Sequence, residues 1–205
     1  YMSTNINAAI FILTKNTPER KVYLKTSLYF LFRNFNKKHN YPVIILHEDD
    51  YDIQSQEEIR MSIRQNHRHL SKFKLLDKEH FEVPSHIDKD KLNKCIELQP
   101  VPYWRNIKYR SMCYFWVKHF FKYTEEHDFV MRLDDDSIIE ETLKDDLFRL
   151  IKEKNLVYLS NIVHVDCGVC NYGMKEFFEN ILPSHKDQIN GGMFVQAALP
   201  QNNPY

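Results

Sequence analysis

Short apolar runs punctuate the chain, and several of them stop abruptly at polar clusters. Ala8 to Leu13 (AAIFIL) has no polar position and gives way to Thr14-Lys15-Asn16, the pattern of a strand buried on both faces. Pro18 suits the first turn of a helix, and Val22, Leu24, Leu28, Leu31 and Phe35 follow at helical spacing. Pro42 precedes a second apolar strand, VIIL, which ends in His47-Glu48-Asp49-Asp50. A polar helix is predicted from Ile53 to Asn66 and a short strand from Phe73 to Leu76. Asp77 to Tyr103 has no clear period and contains Pro84, Pro100 and Pro102, which predicts a long irregular connection. Arg105 to Tyr123 is aromatic-rich and amphipathic, as in a helix packed under a central sheet. Phe129 to Leu133 reads as another buried strand, then come a helix from Leu143 to Lys154 and a strand from Val157 to Val163. A short helix from Met174 to Leu182 and a strand from Met193 to Gln196 complete the pattern. Strands alternating with helices predict an α/β fold, a mixed and mostly parallel sheet between helix layers.

The strand ends matter more than the strands. In a parallel sheet TKN, HEDD and DDDS lie along one edge, so a single polar cleft is predicted, rimmed by Thr14, Lys15, Glu48, Asp49 and Asp134 to Asp136. Polar exits are ordinary in α/β proteins, and an acidic triplet is often a solvated turn or a helix cap. That reading leaves unexplained why two of the three exits are so acidic. Clustered carboxylates repel one another unless a cation sits among them. Carboxylates at i and i+2 on such a turn can hold one hard divalent cation, and that cation can hold a diphosphate. Asp-x-Asp in this position resembles the metal motif of nucleotide-sugar-dependent glycosyltransferases.

Composition narrows the classes. A chain of 205 residues that is 43% hydrophobic can bury one substantial core, and one domain is expected. Lys plus Arg and Asp plus Glu both total 28, so no global field draws the chain to nucleic acid or an anionic membrane. Phosphate binding must come from a local site. Cys95, Cys113, Cys167 and Cys170 do not make a disulfide framework, and Cys167-Gly-Val-Cys170 lacks the second pair that a zinc site requires. There is no 18-residue apolar run, no signal peptide pattern and no Asn-x-Ser/Thr acceptor, which points to a cytoplasmic, reducing setting; a monomeric domain is expected.

Four blocks carry a family resemblance: YPVIILHEDD from Tyr41, KFKLLDKEHFEVPSHID from Lys72, VPYWRNIKYRSMCYFW from Val101 and FVMRLDDDSI from Phe129. In order and spacing they resemble the fungal α-1,2-mannosyltransferases, over Tyr41 to Asp145, and Lys15-Asn16 echoes an Arg-Asn pair of that family. Lys78-Glu79-His80-Phe81 together with Tyr109-Arg110-Ser111-Met112-Cys113 are the specific part. The resemblance implies a GT-A fold and mannosyl transfer from GDP-mannose with Mn²⁺. Two departures stand beside it. The metal motif is Asp-Asp-Asp rather than the fungal Glu-Pro-x, and the fungal Asn-Phe-Glu segment has no counterpart before Tyr205. The end, INGGMFVQAALP, is similar instead to the segment of glycogenin-like enzymes whose Asn and small residues approach the donor sugar, which nominates Asn190, Gly191 and Gly192. Length and composition are also similar to the N-terminal domain of a large chlorella-virus glycosyltransferase. That likeness implies a viral protein, and a GT-A domain over residues 1–205 that can begin a longer chain.

From these likenesses follow the candidate roles. Asp136 is expected to ligate Mn²⁺ or Mg²⁺, with Asp134 on the ion or the ribose and Asp135 beside the nucleotide; the bland alternative is turn capping. Glu48 and Asp49 are candidates for hydrogen bonds to the base or ribose, and Thr14, Lys15 and Arg20 for base recognition and diphosphate charge. Arg110 can fork onto a carboxylate or phosphate, with a structural ion pair as the equal alternative, and Arg132 reads as structural. An inverting transferase needs a carboxylate base, for which Asp166 is the candidate and Asp187 its rival. His164 or His185 can complete a Mn²⁺ shell. The expected activity is metal-dependent transfer of a hexose to a glycan or glycoprotein hydroxyl. A UDP-sugar donor is favoured by the plain Asp-x-Asp, with GDP-mannose as the alternative and a non-catalytic nucleotide-sugar-binding module as another. A phosphatase of the haloacid-dehalogenase type would carry its Asp-x-Asp on the first strand. A nucleotidyltransferase would carry a Gly-rich loop where this chain has LTKNTPER.

Overall fold

The computed structural model of the protein describes residues 6–98 and 106–161, together with Glu176, Glu179, Asn180 and Ser184. Two compact units divide the chain, Tyr1–Lys154 and Asn155–Tyr205. The strands among the described residues all belong to the first.

Four parallel strands build its sheet: β1 (Ala8–Leu13), β2 (Val43–His47), β3 (Ser71–Leu75) and β4 (Phe129–Arg132), in the order β3-β2-β1-β4. Every inner strand residue from Ala8 to Ile12 and from Val43 to Leu46 is buried, because the sheet is covered on both faces. Alternation sorts the side chains. Ala8, Ile10, Ile12, Val43 and Ile45 face one core with Leu24, Leu28, Leu31, Phe35, Ile59 and Phe148. Ala9, Phe11, Ile44 and Leu46 face the other, with Phe81, Phe115, Trp116, Phe120 and Tyr123.

Five helices start at a side-chain cap that accepts an otherwise unpaired amide. Thr17 caps α1 (Pro18–Leu31), Asp52 caps α2 (Ile53–Ser62), Asp88 caps α3 (Lys89–Glu97), Asn106 caps α4 (Ile107–Tyr114) and Asp146 caps α5 (Leu147–Glu153). Two helices widen into a π-helical segment, Phe32–Asn36 after α1 and Phe115–His119 after α4. Such wide turns re-aim side chains and are frequent near functional sites.

Several expected elements differ. Val22 is 59% exposed, so the core stripe of α1 begins at Leu24. The polar helix stops at Ser62, and Gln65–Leu70 forms a 3₁₀ segment. α3 interrupts the expected irregular connection; Leu92, Cys95 and Ile96 recur at helical spacing in it, and none of its residues is buried. The helix expected from Leu143 starts at Leu147, where Asp146 caps it. Residues 157–161 form no strand, and the strand expected at Met193 to Gln196 lies outside the described residues. His80 of the KEHF motif is buried. Its Nδ1 lies 2.8 Å from Tyr123 Oη, and its ring stacks on His119 with centroids 4.4 Å apart.

Candidate functional site

Strand order locates the site before any side chain does. The chain steps outward from β1 to β2 to β3, then returns to place β4 on the other side of β1. Order reverses between β1 and β4, and in open α/β sheets ligands bind beyond the carboxyl ends of the strands at that reversal. Thr14 follows β1, and the acidic triplet follows β4 two residues beyond Arg132. The two exits meet: Thr14 Oγ1 donates to Asp135 Oδ2 at 2.8 Å.

That bond divides the triplet. Asp135 is 1% exposed and points inward, where Arg20 Nε donates to Oδ2 at 2.9 Å and Arg20 Nη2 pairs with Oδ1. Asp134 and Asp136, its neighbours on either side, turn outward with side chains 48% and 52% exposed. Ser137 N–H closes the turn onto Asp134 O at 2.9 Å. Arg20 Nη1 reaches Asp136 Oδ2 at 3.1 Å, and Arg132 forks onto Asp134 through Nε at 2.9 Å and Nη2 at 3.3 Å. Three carboxylates therefore face two guanidiniums, leaving one net negative charge. The repulsion expected of the triplet is offset from within, by Arg20, 115 and 116 positions before the two carboxylates it bonds, and by Arg132, two positions before Asp134.

The other rim residues spread along the edge. Glu48, after β2, pairs with Lys108 Nζ, which sits 5.3 Å from the Phe81 ring centroid. A groove of about 420 Å³ opens at Lys108, lined among others by Phe81, Leu92, Asn93, Ile107 and Ser111. Asn16 Nδ2 donates to Asp50 O at 2.5 Å, tying the β1 exit to the β2 exit. Lys15 and Asp49 are exposed on that rim. Arg20 is committed to two carboxylates, Asp135 and Asp136, and its side chain is 29% exposed. Arg110 is exposed on α4, the helix that supplies Lys108. Tyr23, whose ring lies 5.4 Å from Arg20 Cζ, donates to Glu19 Oε1 at 3.0 Å, and that bond raises its phenol above the ordinary value.

The segment after the triplet is pinned from behind. Asn34, in the π-helical segment, is 5% exposed; its Nδ2 donates to Ile139 O at 2.5 Å and Glu140 O at 3.0 Å. Leu143 N–H returns to Asn34 O at 2.9 Å. Lys108, Trp116 and Asn34 were not singled out by the sequence. Asn34 and Trp116 sit in apolar stretches whose helical period conceals the wide turn.

The donor set suits a hard divalent cation, since such ions are commonly held by one or two carboxylates plus phosphate oxygens and water. Asp134 and Asp136 can provide the carboxylates. Among the described residues no group of three His, Cys, Asp or Glu could hold a metal alone, so other ligands must come from the diphosphate, water or elsewhere in the chain. His164, His185, Asp166, Asp187, Asn190, Gly191 and Gly192 lie outside the described residues. Among those described, no helix is long and apolar enough to cross a membrane.

Comparison with known proteins gives the family and the fold. The family profile described as glycolipid 2-alpha-mannosyltransferase matches residues 2–197. O-glycoside alpha-1,2-mannosyltransferase homolog 5 of Schizosaccharomyces pombe is 24% identical over 156 residues, covering 75% of this chain and 36% of the relative. Glycolipid 2-alpha-mannosyltransferase 1 of Candida albicans is 24% identical over 166 residues, covering 78% and 37%. The chain thus spans little more than a third of the length of these curated relatives. Among solved structures, core-mannan synthase A of Aspergillus fumigatus in its Mn/GDP form superposes with a TM-score of 0.72 at 17% identity, over 93% of this chain and 51% of that one. The mannosyltransferase Ktr4p of S. cerevisiae gives 0.75 at 17% identity, over 89% and 46%. At that identity the likeness shows the fold alone, and the fold is the expected GT-A arrangement.

Proposed function

The chain belongs to the glycolipid 2-alpha-mannosyltransferase family, and from that premise we propose that it transfers a mannosyl residue from GDP-mannose to a glycan or glycoprotein hydroxyl. One observation carries the reading: at the reversal of strand order, two exposed carboxylates flank a buried one that fixes their turn. The donor is the alternative of the sequence reading. The UDP-sugar favoured by a plain Asp-x-Asp gains no support from the relatives, which are named as mannosyltransferases, with solved neighbours in Mn/GDP and GDP forms. The likeness to a chlorella-virus domain rests on length and composition alone, and nothing in the donor assignment depends on it.

In this proposal Asp134 and Asp136 hold a divalent cation, Mn²⁺ by analogy with the solved neighbour. Bound there, the ion supplies Lewis-acid stabilisation to the departing diphosphate. The remaining work falls to the chain's own side chains. Asp135 and Arg20 fix the backbone of the turn, and Thr14 locks it to β1. Glu48 offers an acceptor to the ribose or base, with Lys108 holding its carboxylate in place. Lys15 and Asp49 line the same rim. The relatives' names specify α-linked products, and mannose is α-linked in GDP-mannose, so the proposed transfer retains configuration. Asp166 and Asp187 remain the candidates for a carboxylate near the acceptor, although retention does not demand the general base that inversion would.

Calorimetry with GDP-mannose, UDP-glucose and UDP-galactose, each with and without Mn²⁺, tests this directly. Mn²⁺-dependent binding of GDP-mannose in preference to both UDP-sugars is expected. Preference for a UDP-sugar would overturn the donor, and tight binding insensitive to EDTA would overturn the cation bridge. Slow hydrolysis of the donor without acceptor would separate an enzyme from a binding module.

A further inference from the structure

Arg132 is the last residue of β4, and its guanidinium is held from two sides. Its Cζ lies 4.3 Å from the ring centroid of Trp116, and its Nε and Nη2 occupy both oxygens of Asp134. Trp116 is only 9% exposed and packs into the second core, so the indole is a fixed seat. An exposed ion pair between neighbours in sequence is usually a solvated contact of little consequence. The seat changes that reading, because stacking on an aromatic face restricts the side chain and aims its planar fork. Asp136 is held differently. Arg20 Nη1 takes its Oδ2, and among the described residues no bond engages its Oδ1. One exposed carboxylate can thus accept a cation at once, whereas the other must first shed an N–H donor.

We propose that Arg132 is a positioning residue and an internal competitor at the cation site. Seated on Trp116, it holds Asp134 while no divalent ion is bound, and it yields the carboxylate when one binds. The inference rests on the reading of Asp134 and Asp136 as the cation's ligands, and it adds a residue that reading left without a role. A permanent positive charge one side chain away from a divalent ion repels it, and at a solvent-exposed site the effect is modest and screened by salt.

The test is Mn²⁺ binding without nucleotide, followed through the paramagnetic signal of the free ion up to millimolar concentration, in the wild type, Arg132→Gln and Arg132→Lys. Arg132→Gln is expected to bind Mn²⁺ about three- to tenfold more tightly at low ionic strength, with the gap closing as salt rises. Arg132→Lys should stay near the wild type, because the charge remains. A second readout uses a Trp104→Phe background, in which Trp116 is the remaining one of the chain's two tryptophans. Adding Mg²⁺ should change Trp116 emission when Arg132 is present and leave it unchanged in Arg132→Gln. Equal or weaker Mn²⁺ binding by Arg132→Gln, beside a wild type that binds, would refute the competition and leave the function reading standing. No binding by any of the three, without nucleotide or with GDP present, would remove the cation site itself, and this inference with it.

Discussion

Truncating Asp135 to alanine removes a carboxylate that is 1% exposed and receives Thr14 Oγ1, Arg20 Nε and Arg20 Nη2. What remains is a buried hydroxyl without its acceptor and a guanidinium without its main partner. Breaking a buried pair from one side costs about 3–5 kcal/mol, and an orphaned buried hydroxyl about 1–3 kcal/mol. These overlap, because the groups form one network, so they do not add. Arg20 is also 29% exposed in its side chain, which lets water recover part of the loss. The expected cost of Asp135→Ala is about 3 kcal/mol, and at roughly 2–4 °C per kcal/mol for a chain of this size the melting point should fall by about 6–12 °C. Asp134→Ala and Asp136→Ala are the controls. Both side chains are about half exposed, and surface changes usually stay within about 0.5 kcal/mol. Melting curves by circular dichroism, backed by urea midpoints, measure all three. An Asp135→Ala protein that melts with the wild type, or an Asp136→Ala protein that melts as low as Asp135→Ala, would refute the inward and outward division of the triplet.

Asp136→Ala should abolish Mn²⁺-dependent donor binding and lower transfer by about a thousandfold or more, since Lewis-acid stabilisation of a departing diphosphate is worth several kcal/mol; unimpaired binding would reduce the acidic turn to a turn. Burial holds the His119 and His127 imidazoles below their ordinary pKa, so the unfolded chain takes up protons first. Stability should be whole above about pH 6.5 and decline as pH falls from there toward the depressed folded values, so a melting temperature flat from pH 7.5 to 5 would contradict it. Asp52 and Glu58 are held low, Asp52 chiefly by its bond from Ser55 and Glu58 by that from Lys25. Their contribution is kept above the ordinary carboxylate range near pH 4 and lost below it, which acid titration of the melting point should reveal as a second decline. Asn34→Ala should loosen the segment after the triplet, and amide exchange at Leu143 should quicken while that of β1 does not.

Strands buried on both faces were legible because nothing polar interrupts AAIFIL or VIIL, and the polar cleft followed from where those runs stop. α3 was not, because its apolar positions, Leu92, Cys95 and Ile96, span barely one turn between Pro84 and Pro100, too short a period to stand out. The π-helical segments were hidden for a related reason: one extra residue in a turn shifts the period by a step that a periodic reading absorbs. The roles within the triplet were the deepest gap. Alternation says that Asp135 faces away from its neighbours, but not which side is inward. That is decided by Thr14 and Arg20, 121 and 115 positions earlier in the chain.

The arginines in the acidic turn bear on the order of events in the cell. Zinc fingers and similar domains stay unfolded until their ion arrives, because the ligands have no other partner. This turn brings its own countercharges, Arg20 and Arg132, so its shape does not await a metal supply. Folding and loading become separate steps. If the proposed cation reading holds, a chelator should silence the protein without denaturing it.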